Sequence, residues 1–323
     1  MPFKRRAAIR HHIPRQKFRI TNWRKDEAGL RNRGSLTVWF SNEAIAAWKG
    51  LPSGKQGGQL RYSELAIETA LTLRVVFRLA LRQCEGLISS IMHRLGLDLA
   101  VPDHTTLSRR ARRLEVEPTH LNGAKNLHLI VDSTGLKLRG AGEWLQDKHG
   151  TGGKRRSWLK LHIGMDAGSG EIVTSNLTDK AVNDAAHVPV LPDQISTPIA
   201  SFLGDGAFDT GAVYETVISR NPHARVIVPP GKDAVPSLNA ETAPTQRDKH
   251  LMEIKAHGRS KWQQRSGYTR RSKVEVQISR YKRVIGDMLR SRGHPQRKTE
   301  ARIAVKALSR MNEPGWPISV RVA

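Results

Sequence analysis

After Lys125 the spacing of apolar residues changes from helical to extended, and this change restricts the available folds more than any other feature of the chain. LHLIVDSTGLKL, at 127–138, is a β-rich run interrupted by Asp-Ser-Thr-Gly. Residues 158–179 read as two strands joined by a turn around 166–170. An amphipathic helix follows over about 184–195, then a short strand ending in a turn at Asp205. A helix over about 209–220 leads to the strand ARVIVPP at 224–230. Three meandering strands followed by alternating helix and strand predict an α/β fold, a mixed sheet flanked by helices.

The chain ahead of this sheet reads as helical. From Tyr62 to Arg82 one helix is predicted, with Ser63 as its N-cap and Leu65, Leu73, Val76, Phe77 and Leu81 on a shared face. Arg74, Arg78 and Arg82 then form a basic stripe on that helix, a pattern that usually marks a solvated face. The next segment predicts a helix to Leu95, a break at Gly96, a short loop and a second helix beginning near 102–105. That second helix carries Ser108, Arg109, Arg110, Arg112 and Arg113 on its exposed sides. Helix, short turn and basic helix is the layout of a helix-turn-helix DNA reader, although many helical hairpins bind nothing.

Charge narrows the partners. The 323 residues include 54 Lys and Arg against 29 Asp and Glu, a formal charge of +25 that concentrates polyanions. No run of apolar residues is long enough for a membrane span, and the N-terminus lacks the apolar stretch of a secretory signal. Cys84 is the single cysteine, which excludes a disulfide framework and a multi-cysteine zinc site. The expectation is a cytoplasmic, nucleoid-associated protein that meets nucleic acid rather than membrane. Residues 1–33 hold 11 Lys/Arg and read either as a solvated disordered tail or as a basic arm on a phosphate backbone. The 13 histidines show no metal-ligand spacing, and GTGGK at 150–154 lacks Walker spacing, so no nucleotide cofactor is expected.

Asp132 comes straight after Leu129-Ile130-Val131, where an ionised carboxylate is costly unless a cation or donor meets it. Asp205 follows Phe202-Leu203-Gly204 at the mouth of its strand. Ligands of open α/β sheets gather at the carboxyl ends of strands, so the two could converge; turn or cap roles are the alternative. The turn or cap reading is adopted for Asp166, Asp184 and Asp209. Tyr268, Arg271, Glu275 and Lys282 stand at spacings of three, four and seven, one helical face, with Val274 and Ile278 on an adjoining one. Glu275 is the only acidic residue between Arg259 and Arg283. It is an exposed ion-pair partner of Arg271, a neutralising surface charge, or a metal ligand.

Tyr268-x2-Arg271-x3-Glu275-x6-Lys282, DSTGLK from Asp132, LGDGAFDT around Asp205 and PDHTTLSRR at 102–110 together resemble the IS4/IS5-type DDE transposases. The likeness is to the IS5 family and its IS903-like branch, and it runs from about Leu36 to Met311. Phe208 stands where relatives often have Tyr. The resemblance implies a ribonuclease-H-like catalytic fold preceded by a helical DNA-binding region with a helix-turn-helix. It divides the chain into a basic arm (1–35), a DNA-binding domain (36–124), a catalytic domain (125–311) and a tail (312–323). It makes Asp132, Asp205 and Glu275 the catalytic, metal-binding acids, with Asp132 bridging two Mg²⁺ ions that Mn²⁺ can replace. The implied reaction frees a 3′-OH at the ends of an insertion sequence and joins it to target DNA.

The implied partners are double-stranded DNA, as terminal inverted repeats and target, and further copies of the chain in a synaptic complex. Tyr268, Arg271 and Lys282 match positions that in relatives contact DNA or support the site. Lys154, Arg155 and Arg156 are expected to hold phosphates, and Ser108, Arg109, Arg110, Arg112 and Arg113 to read sequence. Trp158 and Trp262 flank the site; base stacking is open to them, and packing is the preferred reading. A DNA-binding regulator without catalysis and a nuclease that does not join are the competing functions.

Overall fold

A computed structural model describes residues 17–52, 54, 56–57, 59–117, 126–138, 158–312 and 318–322. The chain forms two compact units: Trp39–Arg310, and the two chain ends, Met1–Val38 with Met311–Ala323.

The larger unit is built on a six-stranded mixed sheet. β2 (Leu127–Leu138), β3 (Trp158–Asp166) and β4 (Ile172–Asp179) form an antiparallel meander. β5 (Ile199–Leu203) lies parallel to β2 on its other edge, and β6 (Arg225–Ile227) lies parallel to β5, giving the order β4-β3-β2-β5-β6. β7 (Met288–Leu289) pairs parallel to β2 further along. Three antiparallel strands followed by two parallel ones make a ribonuclease-H-like sheet, the expected α/β architecture. Leu127, Leu129, Val131, Phe202 and Val226 project from one sheet face into a core closed by Val213 and Val217 of α6 (Gly211–Arg220).

Four local expectations are corrected. Asp-Ser-Thr-Gly does not interrupt β2, because β3 pairs with it residue for residue from Leu129↔Asp166 to Lys137↔Trp158. Gly135 lets the Trp158 ring lie close on the strand, since a Cβ would come within 3.1 Å of it. The helix expected over 184–195 is a short α5 (Asp184–His187) followed by two 3-10 turns, Val188–Val190 and Pro192–Gln194. Pro189 and Pro192 remove the amides a longer helix needs.

The helix expected from 62 to 82 is two helices, α2 (Glu64–Val76) and α3 (Leu81–Arg94). Ser63 caps the first, its Oγ accepting from the Ala66 amide at 3.0 Å. Arg78 between them takes the left-handed conformation, φ 53°, and the basic stripe is thereby broken up. Arg74 is buried, 3.8 Å from Glu300, and Arg78 is turned to other work. Asp103 caps α4 (His104–Arg110), accepting from the Thr105 and Thr106 amides, both at 2.9 Å.

In the smaller unit, β1 (Lys17–Ile20) pairs antiparallel with β8 (Ser319–Val322), and α1 (Trp23–Asn32) follows β1. From Lys17 on, the segment read as a disordered tail or a basic arm therefore has regular structure, its strand paired with the C-terminal one. Among the described residues, no helix is long and apolar enough to cross a membrane.

Candidate active site

The sheet register brings two carboxylates together. Ile130 of β2 pairs with Leu203, the last residue of β5. Asp132 and Asp205 each lie two residues further on, so the pleat directs both from the same face at neighbouring positions. β7 does not pair with β2 until Lys137, leaving the edge of β2 beside Asp132 without a strand partner on that side. Asp132 thus sits inside its strand, not at the strand end where sequence reasoning put it. Asp205 also fills the turn role: its Oδ1 accepts from the Ala207 amide at 2.9 Å, capping a 3-10 turn over Gly206–Phe208.

The third carboxylate comes from a helix anchored on this face. α7 (Gln246–His257) and α8 (Arg259–Ser266) lead to Gly267, whose φ of 79° ends α8. A 3-10 turn, Tyr268–Arg271, then opens α9 (Ser272–Val284). Val274 and Tyr281 are the buried anchors of α9. Lys273 Nζ donates to the Ala167 carbonyl at 2.6 Å and Gln277 Nε2 to the Gly170 carbonyl at 2.9 Å, fixing α9 to the β3–β4 turn. At the other end, the Arg78 guanidinium donates to the Arg283 and Val284 carbonyls at 2.7 and 2.8 Å, satisfying groups that a helix C-terminus leaves open. Sequence reasoning missed these three positioning residues, because their partners are carbonyls distant in sequence and no periodicity marks them.

Arg271 joins the three acids. Its Nη2 donates to Asp132 Oδ2 at 3.1 Å and lies 3.6 Å from Asp205 Oδ2, while Nη1 donates to Glu275 Oε1 at 2.5 Å. The side chains of Asp132 and Arg271 are 16% and 17% exposed, against 40% for Asp205 and 57% for Glu275, so the inner pair sits under a wetter rim. Burial raises the Asp132 pKa above the ordinary carboxylate value, with Arg271 opposing the rise and the other two acids adding to it. Burial works against the Arg271 charge, but Asp132, Tyr268, Asp205 and Glu275 outweigh it and leave its pKa raised. Arg271 Nε is buried without a hydrogen-bond partner. One guanidinium serves three carboxylates, and negative charge is in excess.

The donor set suits a hard divalent cation: three carboxylates, no thiolate and no imidazole. As placed, no group of three His, Cys, Asp or Glu among the described residues could hold a metal ion. The fit is one of donor chemistry, and it requires Arg271 to turn aside.

The other predicted residues are dispersed. Tyr268 stacks near Trp262, with ring centroids 5.6 Å apart, and burial raises the pKa of its hydroxyl. Trp262 is fully buried, its indole N–H donating to His250 Nδ1 at 3.0 Å, as the packing reading expected. Trp158 covers Gly135 on the sheet. Lys282 is exposed two helical turns past Glu275, about 10 Å along the axis. Lys154, Arg155 and Arg156 lie outside the described residues.

The basic helix is shorter than expected. α4 ends at Arg110, which puts Arg112 and Arg113 in the turn beyond it. Arg109, Arg112 and Arg113 are exposed, but Ser108 and Arg110 do not stand on the exposed side. Arg110 is held by Glu64 at 2.6 Å and by the Tyr62 carbonyl at 3.1 Å, and the Ser108 carbonyl accepts from Gln296 Nε2 at 3.3 Å.

Of the three acids read as turn or cap residues, Asp166 keeps that role, accepting from the Gly168 and Ser169 amides. Asp209 instead forms a two-pronged pair with Arg247, at 2.9 and 3.1 Å. Asp184 lies 3.3 Å from Lys160 and 3.4 Å from His162, and Asn183 is the cap of α5.

A mixed sheet with acids clustered at its open central edge is the architecture of a polynucleotidyl transferase. The chain belongs to the DDE transposase family: a family model described as the transposase DDE domain matches residues 123–311, more than half of its length. A second model of the same description matches residues 31–141. Members of this family are enzymes of DNA cleavage and strand transfer, and they use divalent metals.

Among solved structures, the chain is similar to the piggyBac transposase in a synaptic complex with hairpin DNA. That match is 9% identical, covers 91% of this chain and 76% of that one, and has a TM-score of 0.34. It is also similar to the Mos1 transposase in a paired-end complex with the left transposon end, at 13% identity, 64% and 68% coverage and a TM-score of 0.22. Superpositions this loose add nothing to the family match.

Proposed function

We propose that the chain is the transposase of an IS5-family, IS903-like insertion sequence, with Asp132, Asp205 and Glu275 as its catalytic acids. The observation that carries this reading is the convergence of three carboxylates from β2, the end of β5 and α9 on Arg271. A cluster with more anions than cations is poor as a structural device and good as a cation receptor. Asp132, inside β2, holds the inner ligand position, and Asp205, just past β5, and Glu275, on α9, reach in from the more exposed rim. Two Mg²⁺ ions, or Mn²⁺, would supply activation of the attacking oxygen and neutralisation of the leaving 3′-oxygen.

Arg271, once turned out of the cluster, is placed to pair with a backbone phosphate, and a guanidinium does so with two parallel hydrogen bonds. Tyr268, braced by Trp262, forms the wall behind it. Lys282 extends the positive surface along α9, and Lys154, Arg155 and Arg156 add phosphate contacts. We assign residues 36–124 to DNA binding and 125–311 to catalysis, with Arg109, Arg112 and Arg113 reading the terminal inverted repeats. The reaction hydrolyses the element's ends to free 3′-OH groups and joins them to target DNA, within an assembly of several copies of the chain.

The test uses DNA spanning the gene and its flanks, incubated with the full chain and Mg²⁺ or Mn²⁺, with 3′ ends mapped. Cuts at defined inverted repeats, lost in Asp132→Ala, are expected, together with joined products on a plasmid target. Repeat binding without cleavage would replace the reading with a DNA-binding regulator, and cleavage without joining with a nuclease.

A further inference from the structure

The chain-end unit carries a surface that the proposed reaction leaves without a role. Phe18, Trp23, Leu30, Ile318, Val320 and Val322 are all exposed there, from 44% at Val322 to 61% at Ile318. Met311 is the only large apolar side chain buried among the unit's described residues. β1 and β8 pair with each other and with no third strand, so both outer edges of the ribbon are open among the described residues. A two-stranded ribbon with so little buried beneath it is marginal alone. Clustered exposed apolar side chains of this kind mark a surface that a partner covers.

The charge of the unit is one-sided. Lys17, Arg19, Arg24 and Lys25 are exposed. Of the two acids among its described residues, Asp26 is buried and Glu27 is held by Arg31 at 2.6 Å. Residues 1–16, which lead into β1, add Lys4, Arg5, Arg6, Arg10 and Arg15 and contain no Asp or Glu. A second copy docked about a two-fold axis would set these cations against their own likes, whereas a polyanion meets them with opposite charge.

The ribbon is tied from within its own unit. The Ile318 carbonyl accepts from the Thr21 amide at 2.7 Å and from Thr21 Oγ1 at 2.9 Å, and the Ile318 amide donates to Asn22 Oδ1 at 2.7 Å. Arg33 Nε donates to the Met311 carbonyl at 2.8 Å. The register sets Lys17 opposite Val322 and Arg19 opposite Val320, so the two cations and the two valines share one face. Along that face Lys17 and Arg19 stand about 7 Å apart, a step that neighbouring phosphates of one DNA strand match.

We infer that this face of the ribbon is a second DNA-docking surface, with Lys17 and Arg19 on successive backbone phosphates of a duplex and Val320 and Val322 against the deoxyribose between them. Arg24 and Lys25, at the start of α1, extend its positive charge. Contacts of this kind add affinity without reading sequence. The choice of DNA as the polyanion rests on the transposase reading, and the docking of a polyanion does not.

The experiment compares the full-length wild type with Lys17→Gln/Arg19→Gln and with Val320→Asp, all at exposed positions. Lys249→Gln/Lys255→Gln, which removes two exposed charges from α7, is the charge-matched control. Duplex DNA spanning the gene and its flanks is titrated against salt, and the mass of the chain without DNA is measured by sedimentation.

The log–log salt slope is expected to fall by about 1.8 in the Lys17/Arg19 variant, two phosphate contacts, and to hold in the control. Val320→Asp, which sets a carboxylate against the phosphates, is expected to weaken binding by about tenfold or more. That pattern in a chain that cuts no repeats keeps the surface and overturns only the transposase reading. Cleavage at the repeats with equal slopes in wild type and Lys17/Arg19 variant overturns the surface alone. An equal fall in the control makes the effect one of overall charge and also overturns it. A dimer without DNA that Val320→Asp splits, with slopes unchanged, gives the face to a second copy and overturns the inference, and a wild type that binds no duplex overturns both readings.

Discussion

Asp205 and Asp209 stand on either side of one 3-10 turn and meet arginine in opposite ways. Asp209 has Arg247 to itself: Nε and Nη2 donate to its two oxygens, the Gly231 amide adds a third bond at 3.2 Å, and Arg247 Nη1 is used by the Val235 carbonyl at 3.0 Å. Every charge and nearly every donor there is matched, and the pair needs nothing from outside. Asp205 shares Arg271 with Asp132 and Glu275, and Arg271 still has an unpartnered Nε. The first arrangement is self-contained, and the second is the one proposed above as the catalytic cluster. What separates them is stoichiometry and exposure: Asp209, 6% exposed, has an arginine of its own, whereas Asp205, 40% exposed, shares one with two other acids.

The comparison breaks if the two sites respond alike to losing an acid. Asp132→Asn is expected to lower DNA cleavage by about 10³-fold or more, roughly 4 kcal/mol of transition-state stabilisation. Its melting temperature should hold or rise, because the variant relieves a cluster rich in negative charge. Asp209→Asn strands Arg247 and is expected to cost about 3 kcal/mol of stability, read as a lower urea midpoint, with cleavage per folded molecule retained. Equal stability losses in the two variants would remove the distinction.

Arg271→Gln sharpens it further. Without its guanidinium the three acids repel one another, so the variant should be less stable in a chelator and more strongly stabilised by Mn²⁺ than the wild type. Mn²⁺ affinity without DNA is expected to rise by about tenfold, close to 1.4 kcal/mol, by calorimetry. An unchanged affinity would show that Arg271 does not compete for the site. The smallest expected effect on stability is at the surface: Arg109→Ala and Arg112→Ala each shift it by no more than about 0.5 kcal/mol, while lowering discrimination between repeat and random DNA by about 1–3 kcal/mol in a competition binding assay.

The succession of strands was legible from the apolar runs, and the three acids because each breaks a local rule. Asp132 closes an apolar run, Asp205 ends one, and Glu275 is alone among cations. The Arg271–Glu275 contact was legible too, from helical spacing. The contact of Arg271 with Asp132 was not, because it joins residues 139 positions apart and depends on where α9 is anchored. The same limit hid Arg247 behind Asp209 and made that acid look like a cap.

The break between α2 and α3 carries no Gly or Pro and rests on a left-handed Arg78, so the apolar spacing ran straight through it. Pro189 and Pro192 were a legible stop signal that the apolar spacing over 184–195 overrode wrongly. Ser108 and Arg110 look solvent-facing on a helical wheel, and only the packing of α4 against distant segments turns them inward.

The central claim is that Asp132, Asp205 and Glu275 form a divalent-cation site in which Arg271 stands until metal arrives. It is tested most directly by loading the full chain with Fe²⁺ and mapping peptide-backbone scission by locally generated hydroxyl radicals. The account predicts cuts close to residues 132, 205 and 275 that Mg²⁺ suppresses, that Arg271→Gln strengthens and that Asp132→Asn abolishes. Scission absent from those three segments, or unchanged in Asp132→Asn, would contradict it.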